Sequence, residues 1–373
     1  MMLRRSFLMT MAALAGAGAE SRLASGRDTR EIKPKTFVPR ALYLSSFGLG
    51  ARSLREPAIR LLQETELNAL VIDVKGDRGW IAYPSTVALA HEIGAQKIIP
   101  ARNADEILAS LKSMGVYLIA RIVVFKDNPL ALAAPSLAVK NSGGSIWRDR
   151  EHLAWVDPFQ PAVWSYNLDI AEEAARKGFD EIQFDYVRFP DARGLVFSQP
   201  NHRENRVQAI GGFFREARKR LAPLHVLIAG DIFGYVCWNQ GDTDIGQELE
   251  KVVNEVDYVC PMLYPSGFRY GIPGYRNAAA YPYEIVRFSL DKALTRTAVD
   301  KMRFRPWLQA FRDYAFDRRV YGPQEISRQI QAAEEFGSDG WMVWNPHNVY
   351  PSAGFRPKTD RAAAMATRVL DSL

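Results

Sequence analysis

One unit repeats along most of this chain: a short run of apolar, β-branched residues followed by an amphipathic helical pattern. Eight apolar runs can be counted, at residues 41–46, 69–75, 116–125, 181–186, 225–231, 256–262, 304–311 and 340–345. Helical patterns separate these runs, and a last one covers residues 359–373. Such alternation is typical of parallel strands joined by crossover helices. Eight units of this kind predict an α/β fold, the (β/α)8 TIM barrel.

The main alternative to a barrel is an open, doubly wound parallel sheet. A sheet of that kind normally carries a glycine-rich phosphate loop after its first strand. Here Gly48 and Gly50 follow the first predicted strand, without a third glycine at the required spacing. A chain of 373 residues could hold two or three domains, but one barrel often takes about 250 residues or more. We therefore predict a single barrel domain over residues 38–373.

The first residues have the pattern of an export signal rather than of a fold. Arg4 and Arg5 precede an apolar run over residues 7–19, which closes with the small-residue sequence Ala-Gly-Ala. The paired arginines resemble a twin-arginine signal, and a general secretory signal is the alternative. The run is shorter than the roughly 20 residues that a membrane span needs. We therefore predict a signal peptide over residues 1–19, a flexible linker over residues 20–37, and a periplasmic or secreted protein that is not inserted in a membrane after the signal is removed.

Charge and histidine spacing argue against two classes of partner. The net charge is +6, but positive and negative residues are interspersed and no basic block stands out, so we expect no nucleic-acid partner. The five histidines lie at positions 91, 152, 202, 225 and 347, without the close spacing typical of zinc ligands. We therefore predict neither a metal site nor a cofactor.

Two aspartates end neighbouring predicted strands: Asp185 ends the fourth, and Asp231 ends the fifth. In a barrel, the carboxyl ends of the strands form the active-site face. Glycoside hydrolysis needs two carboxyl groups there, one at the anomeric carbon and one that protonates the leaving oxygen. We interpret Asp185 and Asp231 as this catalytic pair. The alternative is a structural role for either residue, as a helix cap or as an ion-pair partner of Arg188.

The surroundings of the two aspartates suggest different roles. Lys75, Arg121 and Arg188 are within expected reach of Asp185 and would hold it ionised, as a nucleophile requires. Asp231 follows an apolar strand, so partial burial should raise its pKa toward the range that suits a general acid.

Further strand-end and loop residues are predicted to bind substrate. Asp73 and Lys75 stand two residues apart in the second strand, so their side chains should share a face, as a substrate clamp or a structural ion pair. Flat aromatic rings with a polar edge suit sugar rings, although a single tryptophan is more often a core residue. The predicted substrate-binding set is Asp73, Lys75, Arg121, Trp155, Asp157, Arg188, Tyr264, Trp307, Gln309, Trp344 and Asn345.

Six blocks of sequence together resemble a known family. They are ALVIDVKGDRGWIAYPS (69–85), FDEIQFDYVRFP (179–190), AGDIFG (229–234), VDYVCPMLYPSGF (256–268), RPWLQAF (305–311) and GWMVWNPHNVY (340–350). The resemblance is to the bacterial putative glycosyl hydrolase domain family and covers about residues 38–355. It implies a TIM barrel related to the α-amylase and α-galactosidase superfamilies.

The resemblance also implies roles at two positions. In the related superfamilies a strand-four aspartate is the nucleophile, and Asp185 matches it. The acid/base of the α-amylase type ends strand five, where Asp231 stands. This chain departs from that pattern, because it has Gln183 where those enzymes carry arginine and aspartate at 231 where they usually carry glutamate. The acid of the α-galactosidase type lies on strand six, where only Tyr258 and Tyr264 follow Asp257.

From these observations we predict a glycoside hydrolase acting on a bacterial polysaccharide or cell-wall glycan, with retention of configuration. The alternative from another class is a carbohydrate-binding barrel without catalysis. A metal-dependent deacetylase or amidase is the third hypothesis, which chelator-sensitive activity would favour.

Overall fold

The structure is a computed structural model that describes residues 37–358. Eight parallel strands close into a barrel, each paired with its neighbours in chain order. The strands are β1 Arg40–Leu44, β2 Ala69–Lys75, β3 Tyr117–Val123, β4 Glu181–Asp185, β5 Leu227–Phe233, β6 Tyr258–Met262, β7 Trp307–Gln309 and β8 Trp341–Trp344. The predicted barrel is confirmed, with the seventh strand much shorter than its apolar run suggested.

Seven longer helices connect the strands within the described residues. They are α1 Arg52–Glu64, α2 Ala104–Ser113, α3 Pro161–Arg176, α4 Arg203–Leu221, α5 Leu249–Glu255, α6 Pro282–Thr297 and α7 Pro323–Phe336. Within residues 37–358, no helix is both long and apolar enough to cross a membrane. The predicted signal peptide, the linker up to residue 36 and the predicted helix at 359–373 lie outside the described residues.

The loops at the carboxyl ends of the strands carry small elements of their own. Short helices cover Ser46–Gly50 after β1, Ala88–Glu92 after β2 and Asn128–Ala133 after β3. Two-residue strands in the loops after β3 and β4, Lys140–Asn141 and Leu195–Val196, pair antiparallel. The loops at this face are therefore folded rather than extended.

Strand β4 shows how the alternation of side chains separates the inside of the barrel from its outer layer. Phe184 packs edge-on against Phe213 of α4, with ring centroids 5.0 Å apart, so it faces the helices. Gln183 faces inward, because its Nε2 lies 3.3 Å from Sδ of Met342, on the opposite side of the barrel. Glu181 and Asp185 share the face of Gln183. Asp185 therefore points into the barrel at its carboxyl end.

A β-bulge interrupts this alternation at the end of β2. Asp73 pairs with Arg121 and Lys75 pairs with the very next residue of β3, Ile122, so Val74 is an extra residue. The extra residue rotates the following side chain to the other side of the sheet. The expectation that Asp73 and Lys75 share a strand face is wrong for this reason.

Candidate active site

Asp185 and Asp231 lie side by side at the mouth of the barrel. The residues before them, Phe184 and Gly230, are partners in the register of β4 and β5. The two carboxyl groups therefore stand at the same level on adjacent strands, which run about 4.8 Å apart in a sheet. Both residues are almost completely buried, with 3% of Asp185 and 1% of Asp231 exposed. The strand register thus brings the predicted pair together.

Asp185 is surrounded by hydrogen-bond donors. Its Oδ2 accepts from Nε of Arg121 at 2.9 Å and from Nη2 of the same residue at 2.6 Å. Its Oδ1 accepts from the backbone N–H of Tyr186 at 2.5 Å. Tyr186 has a φ of +51°, in the left-handed region that a bulky residue rarely adopts. The strained turn after β4 therefore aims a backbone donor at the carboxylate.

Asp231 has one bonded oxygen and one free oxygen. Its Oδ1 accepts from Nε1 of Trp307 at 2.8 Å. Its Oδ2 is buried and has no hydrogen-bond partner among the described residues. Burial raises the pKa of Asp231 well above its usual value, and the negative charge of Asp185 raises it further. Burial and the charge of Asp185 thus both favour the protonated form of Asp231, which suits a proton donor.

Arg121 connects Asp185 to two further carboxylates. Its Nη1 donates to Oδ1 of Asp73 at 2.6 Å, and its Nη2 to Oδ1 of Asp77 at 3.1 Å. The hydroxyl of Tyr43 donates to the other oxygen of Asp73 at 2.6 Å. Burial raises the pKa of Asp73 to about 6, although the charge of Arg121 opposes that rise. One cation thus serves three carboxylates at the mouth.

Aromatic rings form one wall beside this cluster. Trp344 stacks on Tyr43 with ring centroids 3.7 Å apart, and the Arg121 guanidinium lies 4.8 Å from the Trp344 ring. Trp307 meets Trp344 edge to face at 5.5 Å. Tyr264 follows the end of β6 by two residues, and burial raises the pKa of its hydroxyl, as do the charges of Asp231 and Asp185. Trp344 is half-buried, so part of its ring is open to a sugar.

Two predicted substrate-binding residues, Trp155 and Arg188, pack against the ring of Tyr186, the residue that follows Asp185. The Arg188 guanidinium lies 4.9 Å from the Trp155 ring and 5.1 Å from the Tyr186 ring. Trp155 in turn packs edge-on against Tyr186 at 5.5 Å. Asp185 is bound by Arg121, and no ion pair with Arg188 is found among the described residues. The structural alternative for Asp185, an ion pair with Arg188, is therefore wrong.

The bulge in β2 removes Lys75 from the mouth. Its Nζ lies 2.6 Å from Oδ2 of Asp127 and donates to Oδ1 of Asn167, on α3, at 2.7 Å. Lys75 is completely buried in this position, between the sheet and the helix layer. It forms a structural ion pair with Asp127 there, so the predicted contact between Lys75 and Asp185 is wrong.

Three further residues of the predicted substrate-binding set are occupied by protein groups. Asp157 accepts from the backbone N–H groups of Phe159 and Ser198, and is 2% exposed. The Gln309 side chain bonds both the backbone and the hydroxyl of Ser266. The Asn345 side chain bonds backbone groups of its own turn and the carbonyl of Ala310. Their polar atoms hold loops in place, so these residues shape the mouth rather than face a ligand.

Asp77 is a mouth residue that sequence reasoning did not single out. It lies in the loop after β2, and its side chain is 38% exposed, the most open of the carboxylates bound by Arg121. The sequence feature that could have identified Asp77 is its position directly after Gly76, in a long loop at the carboxyl end of a strand. Within residues 37–358, no cluster of His, Cys, Asp and Glu side chains has the geometry to hold a metal ion.

Comparison with known proteins places the fold and the family. The barrel resembles the glycoside hydrolase domain of PgaB (BpsB) from Bordetella bronchiseptica, with a TM-score of 0.63 and 16% identity over 87% of this chain and 100% of that one. It also resembles a β-galactosidase from Marinomonas ef1, with a TM-score of 0.58 and 10% identity over 89% of this chain and 59% of that one. At such identities the likeness shows the fold alone.

A hypothetical protein from Ruminiclostridium thermocellum is 37% identical over 51% of this chain and 96% of its own, with a TM-score of 0.46. A search of curated proteins found no match. The family model described as a putative glycosyl hydrolase domain matches residues 41–350, which include every strand of the barrel and both aspartates of the pair. The chain belongs to the putative glycosyl hydrolase domain family.

Proposed function

We propose that the protein hydrolyses a bacterial polysaccharide or cell-wall glycan with retention, using Asp185 as the nucleophile and Asp231 as the general acid/base. The observation that carries this proposal is the contrast between two neighbouring buried carboxyl groups. Asp185 accepts hydrogen bonds on both oxygens, whereas Oδ2 of Asp231 has no partner among the described residues. Export directed by residues 1–19 would bring the enzyme to such polymers.

The nucleophile assignment rests on the donors around Asp185. Ionised aspartate accepts hydrogen bonds and donates none, so the Arg121 guanidinium and the Tyr186 amide match the carboxylate form. Each carboxylate oxygen has two lone pairs. Oδ1 therefore keeps a lone pair for the anomeric carbon after accepting from Tyr186.

The acid/base assignment rests on the free oxygen of Asp231. A proton on Oδ2 has no acceptor among the described residues. The raised pKa keeps that proton in place until a glycosidic oxygen enters the mouth. Trp307, which donates to Oδ1, fixes the carboxyl group so that Oδ2 is the atom left for substrate.

The two steps follow from these roles. Asp185 attacks the anomeric carbon while the bond to the leaving oxygen breaks, and Asp231 gives that oxygen its proton. A water molecule then attacks the glycosyl–Asp185 ester, Asp231 takes the proton of the water, and Asp185 leaves as a carboxylate. Retention requires carboxyl groups about 5–5.5 Å apart. Asp185 and Asp231 stand at the same level on adjacent strands. This arrangement supports the short separation rather than the longer one of inverting enzymes.

The test separates the two roles on an activated aryl glycoside, chosen after a screen of exopolysaccharides and cell-wall glycans for reducing-end release. Asp231→Ala should keep much of its glycosylation rate, because an activated leaving group needs little protonation. Azide should then speed turnover of the trapped intermediate. Asp185→Ala should be inactive on every substrate and should not regain retaining activity.

Other outcomes would change the proposal. The reverse pattern would exchange the two roles, and full activity in both variants would exclude the pair. A wild-type protein that binds glycans of the screen and cleaves none would be a carbohydrate-binding barrel.

A further inference from the structure

The charged residues of the mouth loops are partnered unequally. Most carboxylates in these loops have a cation within 4.0 Å or bind backbone N–H groups, and the exposed Glu92 and Asp191 are the exceptions among the described residues. The partnered acids include Asp127, Asp149, Asp157, Asp242, Glu248, Asp313 and Asp317. Within the same residues, several arginines of these loops have no carboxylate partner: Arg78, Arg150, Arg188, Arg269 and Arg318. The rim of the mouth therefore presents unpaired positive charge.

Arg188 is the most informative of these arginines. It is half-buried, packed on the rings of Trp155 and Tyr186. Among residues 37–358, its one hydrogen bond runs from Nη1 to the backbone carbonyl of Phe189 at 3.0 Å. A guanidinium has five N–H donors in a planar fork, so four find no acceptor in that part of the chain. Partial burial of a charge without an opposite charge is costly, which indicates that the fork is held ready for an anion from outside the protein.

The position of Arg188 relates that anion to the scissile bond. Arg188 follows Asp185 by three residues, and Tyr186 contacts both: its backbone N–H donates to Oδ1 of Asp185, and its ring lies 5.1 Å from the Arg188 guanidinium. The charge of Asp77, burial and the charge of Asp185 raise the pKa of the Tyr186 hydroxyl, and the charge of Arg188 opposes the rise. A group bound by Arg188 would therefore belong to the sugar at the pair or to its immediate neighbour.

A second cationic point lies beside an exposed aromatic surface. Tyr314 is 48% exposed and stacks on Phe311, with the ring planes at 7° and the centroids 6.1 Å apart. Phe311 in turn meets Tyr264, next to the pair, at 5.4 Å. The Tyr314 hydroxyl oxygen lies 4.0 Å from the position that a Cβ on Gly267 would take, two residues before the exposed Arg269. Burial raises the pKa of that hydroxyl, and the charges of Arg269 and Arg150 oppose the rise. A line of rings thus leads from the pair outward to a sugar platform with two cations.

The acidic centre does not contradict a basic rim, because the two serve different parts of a substrate. Positive charge develops at the anomeric carbon in the transition state of glycoside hydrolysis, and the carboxylates around Arg121 stabilise it. Substituents on the flanking sugars meet the rim instead. Rim charges act within about a Debye length, roughly 8 Å at physiological salt.

We propose that the glycan taken by this site is anionic, and that Arg188 binds a carboxylate or phosphate group of a sugar at or next to the scissile bond. This inference rests on the proposed function, because that function places the scissile bond at Asp185 and Asp231. The planar fork of arginine matches the two oxygens of either group. Arg150 and Arg269 bind a further acidic group beside the Tyr314 platform.

The test measures binding in the full-length Asp185→Asn variant, so that turnover does not interfere. The carboxylate arm uses alginate and hyaluronan beside their carboxyl-reduced forms, and the phosphate arm uses phosphomannan before and after phosphate removal. Affinity electrophoresis should show tighter binding to the anionic form in at least one arm, weakening as salt is added. Adding Arg188→Gln should weaken that binding about tenfold or more, which corresponds to about 1.4 kcal/mol.

Matched variants separate a specific site from general electrostatics. Arg60→Gln removes the same charge from an exposed position on α1 and should leave binding unchanged. The double change of Arg150 and Arg269 to glutamine should weaken binding as well, and both residues are exposed, so this variant decides the matter if Arg188→Gln does not fold. Equal binding of anionic and neutral forms in both arms, or equal losses with Arg60→Gln and the rim variants, would overturn the proposal.

Failure of this inference can be told apart from failure of the proposed function. Hydrolysis of neutral glycans together with equal binding of charged and neutral forms would overturn the inference alone. Selective binding of anionic glycans without hydrolysis of any would support the inference and leave the barrel as a binding protein.

Discussion

The barrel encloses a buried arginine near each end, and the two are surrounded differently. At the amino end, Nη1 of Arg305 binds both carboxylate oxygens of Glu181, at 2.8 and 2.7 Å, and its Nη2 binds Asp339 at 3.1 Å. At the mouth, Arg121 binds three carboxylates and a fourth, Asp231, lies beside them with a free oxygen. Both arginines remain charged, because the neighbouring acids outweigh burial and raise the pKa of each.

The difference teaches which cluster stabilises the fold and which is available to a ligand. Glu181 is completely buried, and its oxygens accept from Arg305 and from the Tyr117 hydroxyl. At the mouth, Asp73, Asp77 and Asp185 share the single positive charge of Arg121, and Asp77 is partly open to solvent. Such an excess is unfavourable for stability unless a substrate or a proton compensates it. We therefore expect changes at the amino end to affect stability and changes at the mouth to affect activity.

The largest effect expected from this comparison is the loss of activity in Asp185→Asn. The neutral amide cannot form the covalent intermediate, so kcat/KM should fall by about 10⁴-fold or more, as for other nucleophile deletions. The measurement is kcat/KM on the aryl glycoside used above. The matched change at the amino end, Glu181→Gln, should leave kcat/KM of the folded protein nearly unchanged. Similar losses in both variants would end the distinction between the two clusters.

The next effect is on stability at the amino end. Arg305→Met leaves Glu181 and Asp339 in the barrel interior without their cation, which should cost about 3–5 kcal/mol of unfolding free energy. Urea unfolding at pH 7 measures this cost. Arg60→Gln, an equal loss of charge on the surface, serves as the control. A cost below about 1 kcal/mol, the range of exposed pairs, would show that the cluster contributes little to the fold.

A smaller change of opposite sign is expected for Asp231→Asn. The folded-state pKa of Asp231 is raised, so its contribution to stability is fully present below the unfolded-state pKa and is lost as pH rises through the folded-state pKa. The amide does not ionise, so the variant should be more stable than wild type at neutral pH, by about 0.5–2 kcal/mol. Unfolding in urea at a series of pH values should show this gain growing from about pH 4 upward. A gain that is constant with pH would rule out ionisation of Asp231 as its source.

The smallest effect concerns Asp73, whose pKa burial raises to about 6. As pH rises through this value, Asp73 ionises and competes with Asp185 for the charge of Arg121. We expect an inflection near pH 6 in the profile of kcat/KM, smaller than about tenfold. Asp73→Asn should remove it, whereas Asp157→Asn, with its acid bound to backbone amides, should not. An inflection that persists in Asp73→Asn would assign it to another group.

The sequence predicted the barrel and the proximity of Asp185 and Asp231 because both depend on local periodicity and strand ends. Alternation within β4 and β5 places Asp185 and Asp231 inward at one level, as the register of Phe184 and Gly230 confirms. Lys75 was misplaced because a single extra residue in a strand leaves no signal in its apolar pattern.

Sequence reasoning also does not predict which polar side chains are already hydrogen-bonded within the folded protein. Asp157, Gln309 and Asn345 stand at the mouth as expected, but each forms a hydrogen bond with a backbone group of another loop. Asp77 was missed for the opposite reason: it lies at the mouth, but nothing in its own segment indicates that Arg121 of the next strand binds it. Whether a polar residue is free for a ligand depends on contacts made after the chain has folded.

The bulge at Val74 has a consequence for how this strand can change. It lets β2 supply Asp73 to the interior and Lys75 to the helix layer, where strict alternation would send both the same way. A substitution at one of these positions therefore leaves the contacts of the other intact. The residue at position 73 can change at the mouth while Lys75 keeps its bond to Asn167 of α3. Deleting Val74 would join Asp73 directly to Lys75, and because neighbours in a regular strand face opposite ways, both side chains would keep their sides of the sheet. A one-residue deletion here should therefore do less harm than one elsewhere in the strand, which would send the following side chains to the wrong face.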